Sequence, residues 1–369
     1  MSLSPVQVEI FKAEIPLRKP FRIATMVTRD AELVFVRVID ASGLVGWGEA
    51  APLRSINGET QSTCLAACED LAQFLVGQTF DSNIEAASMM ESALAGQATA
   101  RSALDMALND VEAQKAGKPL VELLQGKARR MPTDLTVPIV APDEAAEQAV
   151  NFVAGGYGAV KIKLGDGPAN DLARVNAVRD AIPAAVRVRV DANQAYDAET
   201  AKDLLDDLSA FDIEFCEQPV ARYELKGLQW LHQTSPVPVM ADESVFTDRD
   251  AWYLLKDKVC GLLNVKLSKC GSLHNGRNIG LVAAKFGAAC MHGGMVESRL
   301  GATAASHLAS SQEVFKWFDL DSFHSHSEDP ILGGMVHVNG DAVLPDAVGL
   351  GATVDPVFLA RCERRVVSA

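Results

Sequence analysis

Residues 159–165 read AVKIKLG, a short apolar run that carries Lys161 and Lys163. Four runs of the same kind follow: RVRVDAN at 187–193 with Asp191, IEFCEQP at 213–219 with Glu217, PVMADES at 238–244 with Asp242, and LLNVKLS at 262–268 with Lys266. Subtracting residue numbers from Lys163 onward gives intervals of 28, 26, 25 and 24 residues. Each interval accommodates one strand, one helix and two loops. That rhythm suits a (β/α) barrel, in which residues at the C-terminal ends of successive strands converge on one mouth.

Working outward, LTVPIV at 135–140 precedes these runs, and AACMHG (288–293) and VFKWFDLD (314–321) follow them. Eight strand candidates are enough to close a barrel. Helical segments such as DLARVNAVRDAI and AETAKDLLDDLSAF separate them. The first 125 residues read differently, as strands followed by helices without alternation, which points to an α+β capping domain. The expected division is 1–125 for this cap, 126–328 for the barrel, and 329–369 for a Gly- and Pro-rich C-terminal segment that packs back on the cap. Gly46 and Gly48 of GWGEA are expected in a hairpin turn.

Composition narrows the function. The chain has 369 residues, 48% hydrophobic and 22% charged, with a net charge of −14. This is a globular enzyme composition, and the acidity argues against nucleic acid or an anionic membrane as partner. Seven cysteines stand without CxxC spacing, as expected in a reducing compartment. No apolar run reaches membrane-spanning length, and no basic stretch followed by an apolar run opens the chain, so a cytoplasmic location is expected. Phosphate-binding glycine motifs are absent.

In a strand, residues i and i+2 share a face, so Lys161 and Lys163 point the same way. One acid at a strand end is an ordinary helix cap. Asp191, Glu217 and Asp242 on three consecutive strands are better explained by a shared cation, and oxygen-only ligands favour Mg²⁺ or Mn²⁺ over zinc. Glu243 faces away from Asp242 and is expected to support the ligands. Lys266 lies across the barrel from Lys163, so a proton can leave one face of a substrate carbon and return on the other. A cation beside Lys161 and Lys163 would draw the amine pKa towards neutrality. FDLD places Asp319 and Asp321 on one face at the end of the eighth strand.

The set KIK, DAN, EQP, ADES and NVKLSK, preceded by KPF and GWGEA, resembles the enolase superfamily in its muconate-lactonizing enzyme subgroup, and dipeptide epimerases most. The resemblance implies an α/β fold, a modified TIM-type (β/α)7β barrel with the capping domain completed by the C-terminal tail. It implies an Mg²⁺-dependent isomerase that moves a proton at the α-carbon of the C-terminal residue of a dipeptide. A Lys base with Mg²⁺ stabilising an enediolate is the known chemistry of that superfamily. Lys163 and Lys266 would be the bases, Lys161 would contact the carboxylate, and Asp319 and Asp321 would receive the α-ammonium group. Thr136, Met295 and Val296 would line the substrate. Residues 21–30, FRIATMVTRD, would form the specificity loop. Relatives that epimerise Ala-Glu carry an arginine where this chain has Met26, so a neutral second residue is expected. N-acylamino acid racemisation, succinylbenzoate synthesis and muconate cycloisomerisation are the alternatives within the subgroup. The expected partner is a small-molecule dipeptide, with the chain acting as a homo-oligomer.

Overall fold

A computed structural model describes residues 2–369. Three long antiparallel strands, β1 (Pro5–Ile23), β2 (Met26–Asp40) and β3 (Val45–Ala50), build the first sheet. Their alternating apolar residues turn one face onto the helices Gln61–Leu75 and Ala98–Ala116, which bury Leu71, Leu75, Leu104 and Leu108 against it. The C-terminal strand Glu363–Ser368 adds to the outer edge of β1, running antiparallel. A two-residue strand β4 (Met131–Pro132) pairs with Asp341–Val343 and leads into the barrel.

Eight parallel strands then follow in simple order: β5 (Leu135–Val137), β6 (Ala159–Lys163), β7 (Arg187–Asp191), β8 (Ile213–Glu217), β9 (Val239–Ala241), β10 (Leu262–Val265), β11 (Ala289–His292) and β12 (Phe315–Phe318). The sheet curls until Asp134 donates its backbone N–H to Phe318 O at 3.2 Å, bringing the first strand back to the last. Several of the helices between them start on side-chain caps. Asp197 accepts from Thr200 N, Ser272 accepts from Asn275 N, and Thr247 with Asp250 forms a capping box. Inside the barrel Phe215, Met240 and Met291 are fully buried and form the floor, with Trp317 edge-on to Phe215. Phe215 and Glu217 share a face, so the apolar floor lies directly beneath the first polar layer.

The glycines of GWGEA do not make a turn. Gly46 and Gly48 lie within β3, where a side chain would strike the Ala107 and Ala103 carbonyl oxygens of the helix Ala98–Ala116. The turn is made at Asp40–Leu44, on the turn sequence Ala41-Ser42-Gly43, with Gly43 at φ +84°. Close helix-on-strand approach, not conformational freedom, sets these two residues. Gly48→Ala should therefore destabilise the chain by about 1–3 kcal/mol through overpacking. Urea unfolding checks this, and an unchanged midpoint would contradict the packing account.

Candidate active site

Strand register brings the charged residues into one row. Lys163 pairs across β6 and β7 with Asp191, and Asp191 pairs across β7 and β8 with Glu217. Asp242 follows directly after β9, and Lys266 directly after β10, one residue beyond the strand that should have carried it. All are buried, with Asp191, Glu217 and Asp242 fully inaccessible and Lys163 7% exposed.

Each lysine meets its own carboxylate. Lys163 Nζ lies 2.5 Å from Asp191 Oδ2, Lys161 Nζ 3.2 Å from Glu217 Oε2, and Lys266 Nζ 2.8 Å from Asp242 Oδ2. Lys161 also binds Asp319 Oδ2. Burial alone would lower Lys161, but Asp319, Glu217 and Asp191 outweigh it and hold the amine well above its ordinary pKa. Lys266 is raised in the same way by Asp242 and Glu217 against the opposing effect of burial. Burial would raise Asp242, yet Lys266 and Lys269 keep its carboxyl well below the usual range. Glu217 is pushed up to about 7 by burial and by Asp191 beside it.

Residues that sequence reasoning left without a role complete the cluster. Lys269 is buried and donates to Asp242 O at 2.6 Å, to Asn264 O at 2.9 Å and to Asp242 Oδ1. Asn264 Nδ2 donates to Glu217 Oε1 at 2.6 Å. Gln218, at φ +34°, turns the chain after Glu217, and its Oε1 accepts from the backbone N–H of Asp242 and Ser244. Glu243 accepts from Asn193 Nδ2, as a supporting role would require, while its Oε2 has no partner and burial raises its carboxyl to about 8. Lys269 and Gln218 could be noticed in NVKLSK and EQP; nothing in spacing marks Asn264.

A second acidic group stands at the barrel seam. Asp134, Asp319 and Asp321 present carboxylate oxygens within 4.8 Å of one another. Arg189 Nη1 donates to Asp134 Oδ2 at 2.7 Å while its Nε donates to Glu214 Oε2 at 2.8 Å. A guanidinium keeps its charge, so Asp134 serves as its counterion. Asp321 Oδ2 accepts from Thr136 N at 2.7 Å, and burial together with Asp319 raises its carboxyl to about 7. Asp319 is held low despite burial by Lys161, Lys163 and Lys266.

Both groups offer carboxylate oxygen, the donor set for a hard divalent cation. Among the described residues only Asp134, Asp319 and Asp321 bring three such ligand atoms within 4.8 Å of one another; Asp191, Glu217 and Asp242 are engaged by Lys163, Lys161 and Lys266, and beside them Glu243 Oε2 has no partner.

A cavity of about 390 Å³ opens onto this cluster, lined among others by Thr136, Lys163, Met295, Val296, Asp319 and Asp321. Six of the residues expected to touch substrate therefore line one cavity. Lys161, Lys266 and Met26 are not among them. The β1–β2 hairpin tip packs Ala24 over Gly165, and Met26 Sδ accepts from Ser55 Oγ at 3.1 Å. Met26 lines a neighbouring cavity of about 220 Å³ with Val27, Arg29, Arg54 and Glu59, and Val296 lines both. Arg22 is engaged outside by Asp166 at 2.7 Å. Glu49 of β3 accepts from Ser298 N and Gly301 N, so the cap grips the Gly293–Ser298 loop that carries Met295 and Val296.

Residues 5–125 match the mandelate racemase / muconate lactonizing enzyme N-terminal domain, and residues 144–357 match the enolase C-terminal domain-like model. The solved structure of a dipeptide epimerase from Cytophaga hutchinsonii, complexed with Mg and the dipeptide D-Ala-L-Val, is 34% identical and superposes with a TM-score of 0.96 over 100% of both chains. The L-Ala-D/L-Glu epimerase of Bacillus subtilis is 36% identical over 94% of this chain and 96% of its own. A hydrophobic dipeptide epimerase from Enterococcus faecalis is also 36% identical, over 94% of this chain and 98% of its own. The chain belongs to the mandelate racemase / muconate lactonizing enzyme family of the enolase superfamily.

Proposed function

We propose that this chain is a dipeptide epimerase that inverts the α-carbon of the C-terminal residue. The observation that carries the reading is the shared wall of the larger cavity. A lysine, Lys163, and a carboxylate pair, Asp319 and Asp321, face the same enclosed space. A dipeptide presents the complementary groups, a free ammonium at one end and an acidic α-hydrogen at the other. The ammonium replaces a buried lysine as the partner of Asp319, a charge-assisted contact that an N-acyl substrate cannot make.

Lys163 and Lys266 act as the two bases, one taking the α-proton and the other returning it to the opposite face. Lys161, between them and bound to Glu217 and Asp319, meets the substrate carboxylate. Asp191, Glu217 and Asp242 would hold a divalent cation, Mg²⁺ by analogy with the relatives, and it would supply positive charge where the carboxylate oxygens gain negative charge. Gln218, Asn264 and Lys269 keep the carboxylates in place. The reading also takes no nucleic acid or membrane partner and places a homo-oligomer in the cytoplasm; no described helix is long and apolar enough to cross a membrane.

The second residue of the substrate should be neutral and preferably hydrophobic. Arg29 and Arg54 in the smaller cavity are offset by Asp30, Glu32 and Glu59, leaving Met26, Val27, Pro52, Leu53 and Val296 as apolar contact. Burying a Leu- or Phe-sized side chain there contributes roughly 1.5–3 kcal/mol. The names of equally similar relatives differ on this point, so the reading rests on the lining residues.

In deuterated water, Ala-Leu and Ala-Phe should take up deuterium at the C-terminal α-carbon faster than Ala-Glu or Ala-Lys, as followed by mass spectrometry. A clear lead for Ala-Glu or Ala-Lys would contradict the specificity. Retained turnover of N-acyl amino acids by Asp319→Asn, with all dipeptides inert, would replace the epimerase by an N-acyl racemase. Metal binding separates the two acidic groups. Asp242→Asn should lose the Mg²⁺-dependent thermal shift and Asp134→Asn should keep it; the reverse would move the cation to the barrel seam.

A further inference from the structure

Beside the mouth, three side chains from separate segments converge without a role in proton transfer. Tyr157 OH lies 2.8 Å from His337 Nδ1 and 3.3 Å from His324 Nε2, and the two ring nitrogens are 2.8 Å apart. Tyr157 follows the helix Pro142–Ala154, His324 sits in the turn after Asp321, and His337 lies in the C-terminal strand Val336–Val338. An imidazole nitrogen is either a donor or an acceptor, never both. Three mutual contacts therefore cannot all be well-formed hydrogen bonds. A cation would accept all three lone pairs at once.

The dimensions suit such a cation. A tetrahedral zinc with bonds of about 2.0 Å holds its ligand atoms about 3.3 Å apart. The observed triangle needs only a few tenths of an ångström of opening on two edges. Packing around the group lowers His324 below its ordinary pKa, and burial with His324 beside it lowers His337 to about 3, so both keep a lone pair to donate. His324 still has part of its surface open to solvent and lines the larger cavity, which gives an ion both an entry and a consequence. The donor chemistry is also distinct from the oxygen-only cluster at the strand ends, where hard cations are favoured.

We propose that Tyr157, His324 and His337 form a binding site for a borderline transition-metal cation, of which Zn²⁺ is the probe, at the rim of the substrate cavity. An ion there fixes His324 at the entrance and adds positive charge near the acidic pair that receives the ammonium group. Zinc should thus inhibit in competition with substrate. This consequence rests on the proposed function, whereas the binding itself does not.

Titration of the full chain with Zn²⁺ in excess Mg²⁺, by calorimetry, tests the site. Wild type should bind one ion whose affinity falls about tenfold or more in His337→Ala. Cu²⁺ as a spectroscopic probe should show imidazole nitrogen hyperfine structure that this variant loses. His337→Gln with an unchanged melting temperature guards against misfolding. His337→Ala should keep zinc-free dipeptide turnover and resist zinc inhibition. Zinc and copper binding indifferent to His337 and His324 would overturn the site. Binding lost in the variant without any inhibition of wild type would leave the site and remove its effect on turnover.

Discussion

Everything at the barrel mouth depends on burying opposite charges side by side. Lys161, Lys163, Lys266 and Lys269 are almost inaccessible, and so are the carboxylates of Asp191, Glu217 and Asp242. Neither sign could be buried alone, because an unpaired internal charge costs far more than any nearby contact returns. Removing one partner of such a pair typically costs about 3–5 kcal/mol. The array is therefore a set of paired charges that a bound ion and a charged substrate can rearrange. A substrate carrying an ammonium at one end and a carboxylate at the other matches it in both signs.

The rest of the fold keeps that array in place. Parallel register sets Lys163, Asp191 and Glu217 in one row, and the apolar floor of Phe215, Met240 and Met291 closes the space beneath. From above, the cap reaches the barrel through charged hydrogen bonds at two points. Glu49 binds the start of the helix Arg299–Ser311, a favourable place for an anion, and Asp105 accepts from Leu273 N at 2.7 Å. Thr99, held by Glu59, donates to Ser268 O beside Lys266 and Lys269. Closing the mouth this way lowers the local dielectric and strengthens each ion pair within.

Much of this was legible in the sequence, because a barrel repeats one local instruction. An apolar run ending in a charge, recurring every 24 to 28 residues, marks both strand and site. Residues whose role depends on partners far along the chain were harder to read. Gly46 and Gly48 looked like turn residues because the helix that touches them lies more than fifty positions away. Arg189 and Asp134 are joined only when the barrel closes. Met26 lies in the hairpin between β1 and β2, where the docking of Ala24 on Gly165 sends its side chain into the adjoining cavity. The His324–His337–Tyr157 group arises from three separate segments and has no signature in spacing at all.

Two lysines facing opposite sides of one carbon is the central claim, and hydrogen exchange in single-lysine variants tests it most directly. Lys163→Ala and Lys266→Ala should each abolish net epimerisation. In deuterated water one variant should still exchange the α-hydrogen of the L,L-dipeptide and the other that of the L,D-epimer. Exchange of both epimers by one variant, with none by the other, would mean a single base and would contradict the account.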